Sequence, residues 1–175
     1  MNNLLDYIKV YRKILDKETC NKIIQEKDLK FFPATTQGRV VSHRQCLIKK
    51  LNPEFESIIK FKVIEITNRY MKDYPHLITG FENKDTGYDH LLYMSSHEGE
   101  YKEHVDNTLS HKRILSCSIL LNDTYEGGEF SFFDNEYTIP SQQGMAIVFP
   151  SNFMFPHAVK KIISGDRHAI ITWMY

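Results

Sequence analysis

The chain has 175 residues, enough for one domain with a buried core, and 42% of them are hydrophobic, which excludes a disordered chain. Lys plus Arg and Asp plus Glu both number 22, so the formal net charge is zero. That excludes a strongly basic surface spread over the whole protein, and nucleic acid is not an expected partner.

Cys20, Cys46 and Cys117 are scattered and form no C-x-x-C, which argues against a disulfide scaffold and for a reducing compartment. The first residues, Met1 to Asp6, show no basic segment followed by an apolar core, so no signal peptide is expected. No apolar run reaches the roughly 18 residues of a membrane span. A soluble, cytoplasmic protein is the expectation.

In chain order, residues 8–11 read as a short strand. Asp16 is an N-cap for a helix to about Lys27, with Ile23 and Ile24 facing inward. Residues 31–45 hold Pro33, Gly38 and many polar side chains, and read as a long loop or loose hairpin before a strand at 46–48. Asn52-Pro53 is an N-cap followed by proline at the first helical position. Phe55, Ile59, Val63, Ile66 and Tyr70 then recur at helical spacing, which predicts an amphipathic helix of about five turns ending before Pro75.

From Tyr88 the pattern changes to short strands at 88–94, 114–121, 130–133, 137–139, 146–149 and 168–175, separated by turns rich in Gly, Asn and Asp. Gly127-Gly128 is read as a turn of positive φ rather than a phosphate cradle. The expected architecture is mainly β with flanking N-terminal helices, a jelly roll of the double-stranded β-helix, cupin-like kind. One domain is expected over 1–175, its β-helix core at about 88–175 and its helical support at about 1–87.

His104-Val105-Asp106, His157 about fifty residues later and Arg167 ten beyond that are the chemical signal. In extended chain, residues i and i+2 point to one side, so His104 and Asp106 can face one metal. His157 completes the set only if the fold brings a distant strand opposite. Two imidazoles and a carboxylate are the ligand set of a facial triad, which holds non-haem Fe(II) with open positions. Alone, H-x-D is weak; the later His and Arg make it specific. A guanidinium grips a carboxylate in two places, so Arg167 suits the far end of a metal-chelating dicarboxylate.

Tyr93, Tyr101, His104-Val105-Asp106, Arg113, Leu121-Asn122-Asp123, Gly127-Gly128-Glu129-Phe130, Pro140, Gly144, Phe149-Pro150, His157, Gly165-Asp166-Arg167 and Trp173 together resemble the catalytic domain of the prolyl 4-hydroxylase group. That group belongs to the Fe(II)- and 2-oxoglutarate-dependent dioxygenases. The resemblance is dense from about Tyr88 to Tyr175 and thinner before, where the order of elements is similar to small microbial and viral members.

The resemblance implies a double-stranded β-helix with Fe(II) at one open end, 2-oxoglutarate and O₂ as cosubstrates, and ascorbate as a further cofactor. It implies hydroxylation of a substrate C–H bond, with succinate and CO₂ as coproducts. His104, Asp106 and His157 match the iron ligands. Arg167 matches the basic residue on the distal carboxylate, Lys in many members and Arg in others. Tyr93 matches a tyrosine that contacts 2-oxoglutarate, and Ser116 falls where members often have Thr. Some members carry Tyr just before the Leu-Asn pair; this chain has Leu120, which leaves Tyr93 and Ser116 as the hydroxyl candidates. Tyr101 and Arg44 are candidates for substrate contact. Trp173 is expected in the core. His43, His76, His90, His97, His111 and His168 lack partners at ligand spacing and are read as surface or hydrogen-bonded histidines.

Three functions stay open. The first is a hydroxylase acting on proline, most simply a prolyl residue in a peptide or protein. The second is the same chemistry on another amino acid, a nucleobase or a small metabolite. The third is a metal-holding jelly roll without turnover, for which Zn²⁺ on His₂Asp would suffice. Arg167 argues against the third, since a structural zinc site needs no distal cation. The nucleobase-repair branch carries a second Arg six residues after the first, and that position is Trp173. Specificity is expected in loops at 31–45, 81–88 and 107–112.

Overall fold

The computed structural model describes residues 3–28, 30–36, 38–76, 82, 84–109 and 111–175. Gln37, Phe81, Asn83 and Ser110, which belong to the three expected specificity loops, lie outside the described residues.

A 3₁₀ turn at Leu4–Tyr7 leads into β1 (Lys9–Tyr11). Helix α1 (Lys17–Gln25) starts where Asp16 accepts the Thr19 N–H at 2.7 Å; it buries Cys20 and Ile23, while Ile24 is half-buried. Short strands β2 (Phe32–Pro33), β3 (Arg44–Gln45) and β4 (Leu47–Lys50) follow. The 31–45 stretch is thus the long loop of the two expected forms rather than a hairpin: β2 at its start pairs with β4, and β3 at its end pairs with a strand of the other sheet at residues 100–104. Helix α2 (Pro53–Asp73) is capped by Asn52, with Pro53 in its first turn, and buries all five residues of the helical stripe together with Thr67. Tyr74, the residue before Pro75, terminates it.

The strands that follow are β5 (Asp89–Met94), β6 (Glu100–His104), β7 (Leu115–Leu120), β8 (Glu126–Gly127), β9 (Phe130–Phe132), β10 (Tyr137–Ile139), β11 (Ala146–Pro150), β12 (His157–Val159), β13 (Ile162–Ser164) and β14 (Asp166–Met174). They form a seven-stranded sheet in the order β1-β11-β7-β14-β5-β4-β2, a five-stranded sheet in the order β10-β9-β12-β6-β3, and a two-stranded ribbon of β13 and β8. The two large sheets face each other as a double-stranded β-helix, and α1 and α2 cover the outer face of the larger one.

Strand β7 shows why the larger sheet reads as continuous apolar sequence. All six of its residues are buried because both faces are covered. Leu115, Cys117 and Ile119 pack under the helices with Phe55, Ile59 and Ile66. Ser116, Ser118 and Leu120 alternate to the other face. There Leu120, Phe149, Tyr93 and Ile171 meet Phe130, Phe132 and Val159 from the smaller sheet, forming the core between the sheets.

Four strands, β6, β8, β12 and β13, lie where no strand was expected from the sequence. Strand β6 reads Glu-Tyr-Lys-Glu-His and buries none of its residues fully, and the other three are only two or three residues long. Their conformation comes from ladder partners rather than from their own patterning.

Candidate active site

His104 ends β6 and His157 begins β12, and the two are directly opposed across the antiparallel ladder. Asp106 sits two residues beyond His104 and is 6% exposed. One ligand atom from each of the three lies within 4.8 Å of the others. His104 Nε2 is 3.6 Å from Asp106 Oδ1, and His157 Nε2 is 3.4 Å from Asp106 Oδ2.

The tautomers are set locally. His104 Nδ1 lies 2.8 Å from the Lys102 carbonyl, and His157 Nδ1 lies 3.1 Å from the Phe155 carbonyl. A carbonyl only accepts, so each Nδ1 carries the proton and each Nε2 turns a lone pair toward Asp106. Tyr101 stacks on the His104 ring at 3.5 Å between centroids, and Phe130 stacks on His157 at 5.4 Å, fixing both ring planes.

Burial alone would push the Asp106 carboxyl up. In their protonated forms His157 and His104 oppose this, the charge of His157 first and the hydrogen bonds from both rings next, and hold the group well below the usual carboxylate range. Burial likewise lowers the His104 pKa. Asp106 and His104 are therefore biased to the deprotonated forms that ligate metals.

Ser116 Oγ donates to Asp106 Oδ2 at 2.7 Å and stands 2.8 Å from Ser151 Oγ. A carboxylate accepts only, so the Ser116 proton is committed to Asp106 and Ser151 must donate to Ser116. Ser116, expected as a cosubstrate contact, is thus placed against the carboxylate. From the same face of β7, Ser118 lines the pocket. The i, i+2 spacing of Ser116 and Ser118 was the available signal for it. Ser151 carried none, since it follows the end of β11 and is brought in by the fold.

The wall of the pocket in front of the triad includes Tyr93, Ser118, Ile171, Arg44 and Trp173. Arg167 reaches it from β14 and is 1% exposed, yet its Nε and Nη2 have no hydrogen-bond partner among the described residues. Tyr93, paired with it across the ladder, lies under the guanidinium at 5.3 Å. Buried donors of this kind cost free energy unless something accepts from them, and an orphaned guanidinium is the strongest such donor. Gly128 makes room for it. With φ of +65°, a Cβ there would collide with Ile162 and lie 3.2 Å from Arg167 Cδ.

Leu120 is fully buried between the sheets and is not part of the pocket wall. Trp173, expected in the core, is half-buried and lines the pocket instead, with the Arg113 guanidinium stacked 3.5 Å above its ring. Arg44 lies over Tyr101 at 4.8 Å and donates through Nη1 to the Thr35 carbonyl. Among the remaining histidines, His90 Nε2 and His168 Nδ1 are 3.0 Å apart on the outer face of the larger sheet, a pairing that spacing in the sequence did not reveal.

Residues 90–175 match the family described as the 2OG-Fe(II) oxygenase superfamily. Residues 90–175, which carry the triad and Arg167, belong to that superfamily. A PKHD-type hydroxylase from Prochlorococcus marinus is 30% identical over 133 residues, covering 71% of this chain and 54% of that protein. Prolyl 3-hydroxylase 1 of Mus musculus is 27% identical over 140 residues, 65% of this chain and 18% of that one. The chain thus spans about half the length, or less, of these curated relatives.

Among solved structures, a prolyl-4-hydroxylase of Pseudomonas putida superposes with a TM-score of 0.72 at 19% identity, over 96% of this chain and 92% of that one. A viral collagen prolyl hydroxylase from Paramecium Bursaria Chlorella virus-1, in complex with 2OG, gives 0.71 at 17% identity over 96% and 95%. At these identities the likeness establishes the fold, a double-stranded β-helix of the prolyl hydroxylase kind.

Proposed function

We propose that this oxygenase hydroxylates a prolyl residue in a peptide or protein, with residues 1–175 acting as one catalytic domain. The observation that carries the reading is the buried, unpartnered Arg167 in the same pocket as the His104–Asp106–His157 triad. A metal-holding module without turnover has no use for that donor pair, and a chelating dicarboxylate does.

The residues fit the cofactors. Two Nε2 lone pairs and one ionised carboxylate form a facial set for Fe(II), and Arg167 offers two N–H groups to a distal carboxylate. With iron, 2-oxoglutarate and O₂ bound, the centre couples conversion of 2-oxoglutarate to succinate and CO₂ with insertion of one oxygen atom into a C–H bond. The chain's own residues do the rest. His104, His157 and Asp106 hold the metal, Ser116 and Ser151 orient the carboxylate, and Arg167 neutralises the far end of the cosubstrate. Tyr93 and Ser118 bound the cosubstrate space. Phe130, Val159 and Ile171 keep it dry, which strengthens each charged contact. Tyr101 and Arg44 stand at the mouth, placed to meet substrate.

The proline assignment is supported by the named activities of the relatives and by the aromatic walls, which suit a pyrrolidine ring in extended polyproline II chain. A cytoplasmic location is part of the proposal, supported by three buried, free cysteines; no described helix is long and apolar enough to cross a membrane. The test is anaerobic loading with Fe(II), then addition of O₂, 2-oxoglutarate, ascorbate and a panel of proline peptides. A mass gain of one oxygen on proline, matched by succinate, supports it. Oxidation confined to a nucleobase or a non-proline metabolite overturns the substrate, and absence of 2-oxoglutarate turnover overturns the activity.

A further inference from the structure

The mouth of the pocket carries two more guanidinium groups, Arg44 and Arg113. Both line a depression that shares Tyr101, His104, Asp106 and Trp173 with the pocket in front of the triad. Each is held in two ways. Arg44 bonds the Thr35 carbonyl at 2.8 Å and lies over Tyr101; Arg113 bonds the Asp106 carbonyl at 3.2 Å and lies over Trp173. Neither has a carboxylate partner among the described residues, and the Nε of each is buried without a hydrogen bond. An aromatic ring occupies the face of a guanidinium and leaves its in-plane donors for something else.

Counting charge sharpens the point, and this step rests on the function proposed above. A divalent iron, the Asp106 carboxylate, a doubly charged cosubstrate and Arg167 cancel. Arg44 and Arg113 are then two surplus positive charges lining the same depression. Two like charges held together by stacking and by main-chain carbonyls, with donors to spare, are arranged for an anion that the chain does not supply.

We propose that the substrate brings that anion: a carboxylate next to the oxidised residue, gripped by Arg44 and Arg113 at the mouth. A free amino acid, a C-terminal proline and an acidic side chain beside proline would each present this group. The two arginines thus select acidic over neutral substrates and orient the chain being oxidised.

Trp173 is the single tryptophan and lies against Arg113, so its fluorescence reports occupancy without turnover. The full chain, held without O₂, is titrated with matched pairs: L-proline and prolinamide, a peptide ending in Pro as acid and as amide, and a peptide with Asp or Asn beside proline. In at least one pair the carboxylate member is expected to bind about tenfold more tightly, the worth of one charged hydrogen-bonded contact. Rising salt should erode the preference. The Arg44→Gln and Arg113→Gln variants should lose it; Arg44→Lys and Arg113→Lys should keep part of it, which separates loss of charge from loss of fold. Equal binding within all three pairs, or a preference that survives both Gln variants, overturns the proposal. Binding of Mn(II) and 2-oxoglutarate is measured separately, so failure of the iron and cosubstrate reading shows there, whereas the preference of the metal-free chain tests the mouth alone.

Discussion

Ser116 donates its hydroxyl hydrogen to Asp106 at 2.7 Å, and so holds one oxygen of the triad's carboxylate in place. The Ser116→Ala variant removes that bond and leaves the buried Ser151 hydroxyl without its acceptor. Groups that orient a metal ligand are worth roughly 10–100-fold in affinity. Titration of the metal-free protein with Mn(II) should show weakening in that range, with the far-ultraviolet spectrum unchanged. Unaltered affinity would show that the two imidazoles fix the carboxylate without help.

The triple variant His104→Ala, Asp106→Ala, His157→Ala should lose bound metal altogether while keeping its secondary structure. The cores under the helices and between the sheets are built from other residues. Metal content after purification with Fe(II) or Mn(II) checks this, and wild-type stoichiometry in the variant would sink the ligand assignment.

Arg167→Ala should raise the KM for 2-oxoglutarate. Losing a hydrogen bond to a charged group costs roughly 1.5–3 kcal/mol, or about 10- to 150-fold. Arg167→Lys should be milder, because it keeps the charge but loses the fork. Gly128→Ala should first cost stability, through its positive φ and the collision with Ile162, and crowd Arg167 besides. An unchanged KM in Arg167→Ala would place the anchor elsewhere.

The His90–His168 pair gives a pH dependence. Burial lowers His90 to about 3 and His168 to about 4. A second proton would also set N–H against N–H across their 3.0 Å contact. The unfolded chain, with histidine near its ordinary value of about 6.5, binds more protons than the folded one between that value and about 4. Stability from the pair is therefore complete above about pH 6.5 and is lost as the pH falls toward 4, with a slope of at most about 2.7 kcal/mol per pH unit for two protons. Urea midpoints across this range should fall more steeply in the wild type than in His90→Leu. Parallel slopes would contradict the assignment.

That His104, Asp106, His157 and Arg167 meet at one pocket could be anticipated from the sequence, because metal and carboxylate chemistry demands particular side chains at particular spacings. Helix α2 could be read because Asn52-Pro53 and the apolar stripe agree. The strand carrying His104 could not. Its Glu-Tyr-Lys-Glu-His pattern has no buried alternation, and only pairing with β12 and β3 makes it a strand. The role of Ser151 and the exposure of Trp173 to the pocket were hidden for the same reason: both follow from which strands the fold sets side by side. His90 and His168 lie 78 residues apart and meet only through the β5–β14 ladder.

The sheet edges have a consequence of their own. β1 and β2 border the larger sheet, β10 and β3 the smaller one, and each is only two or three residues long. Pro33 further removes an N–H from β2. A peptide that tried to join either sheet as an added strand would find main-chain donors and acceptors for a few bonds at most. A peptide of the kind proposed above would then be held by side chains rather than by added strand pairing, and the same short borders starve chain-to-chain polymerisation through strand pairing.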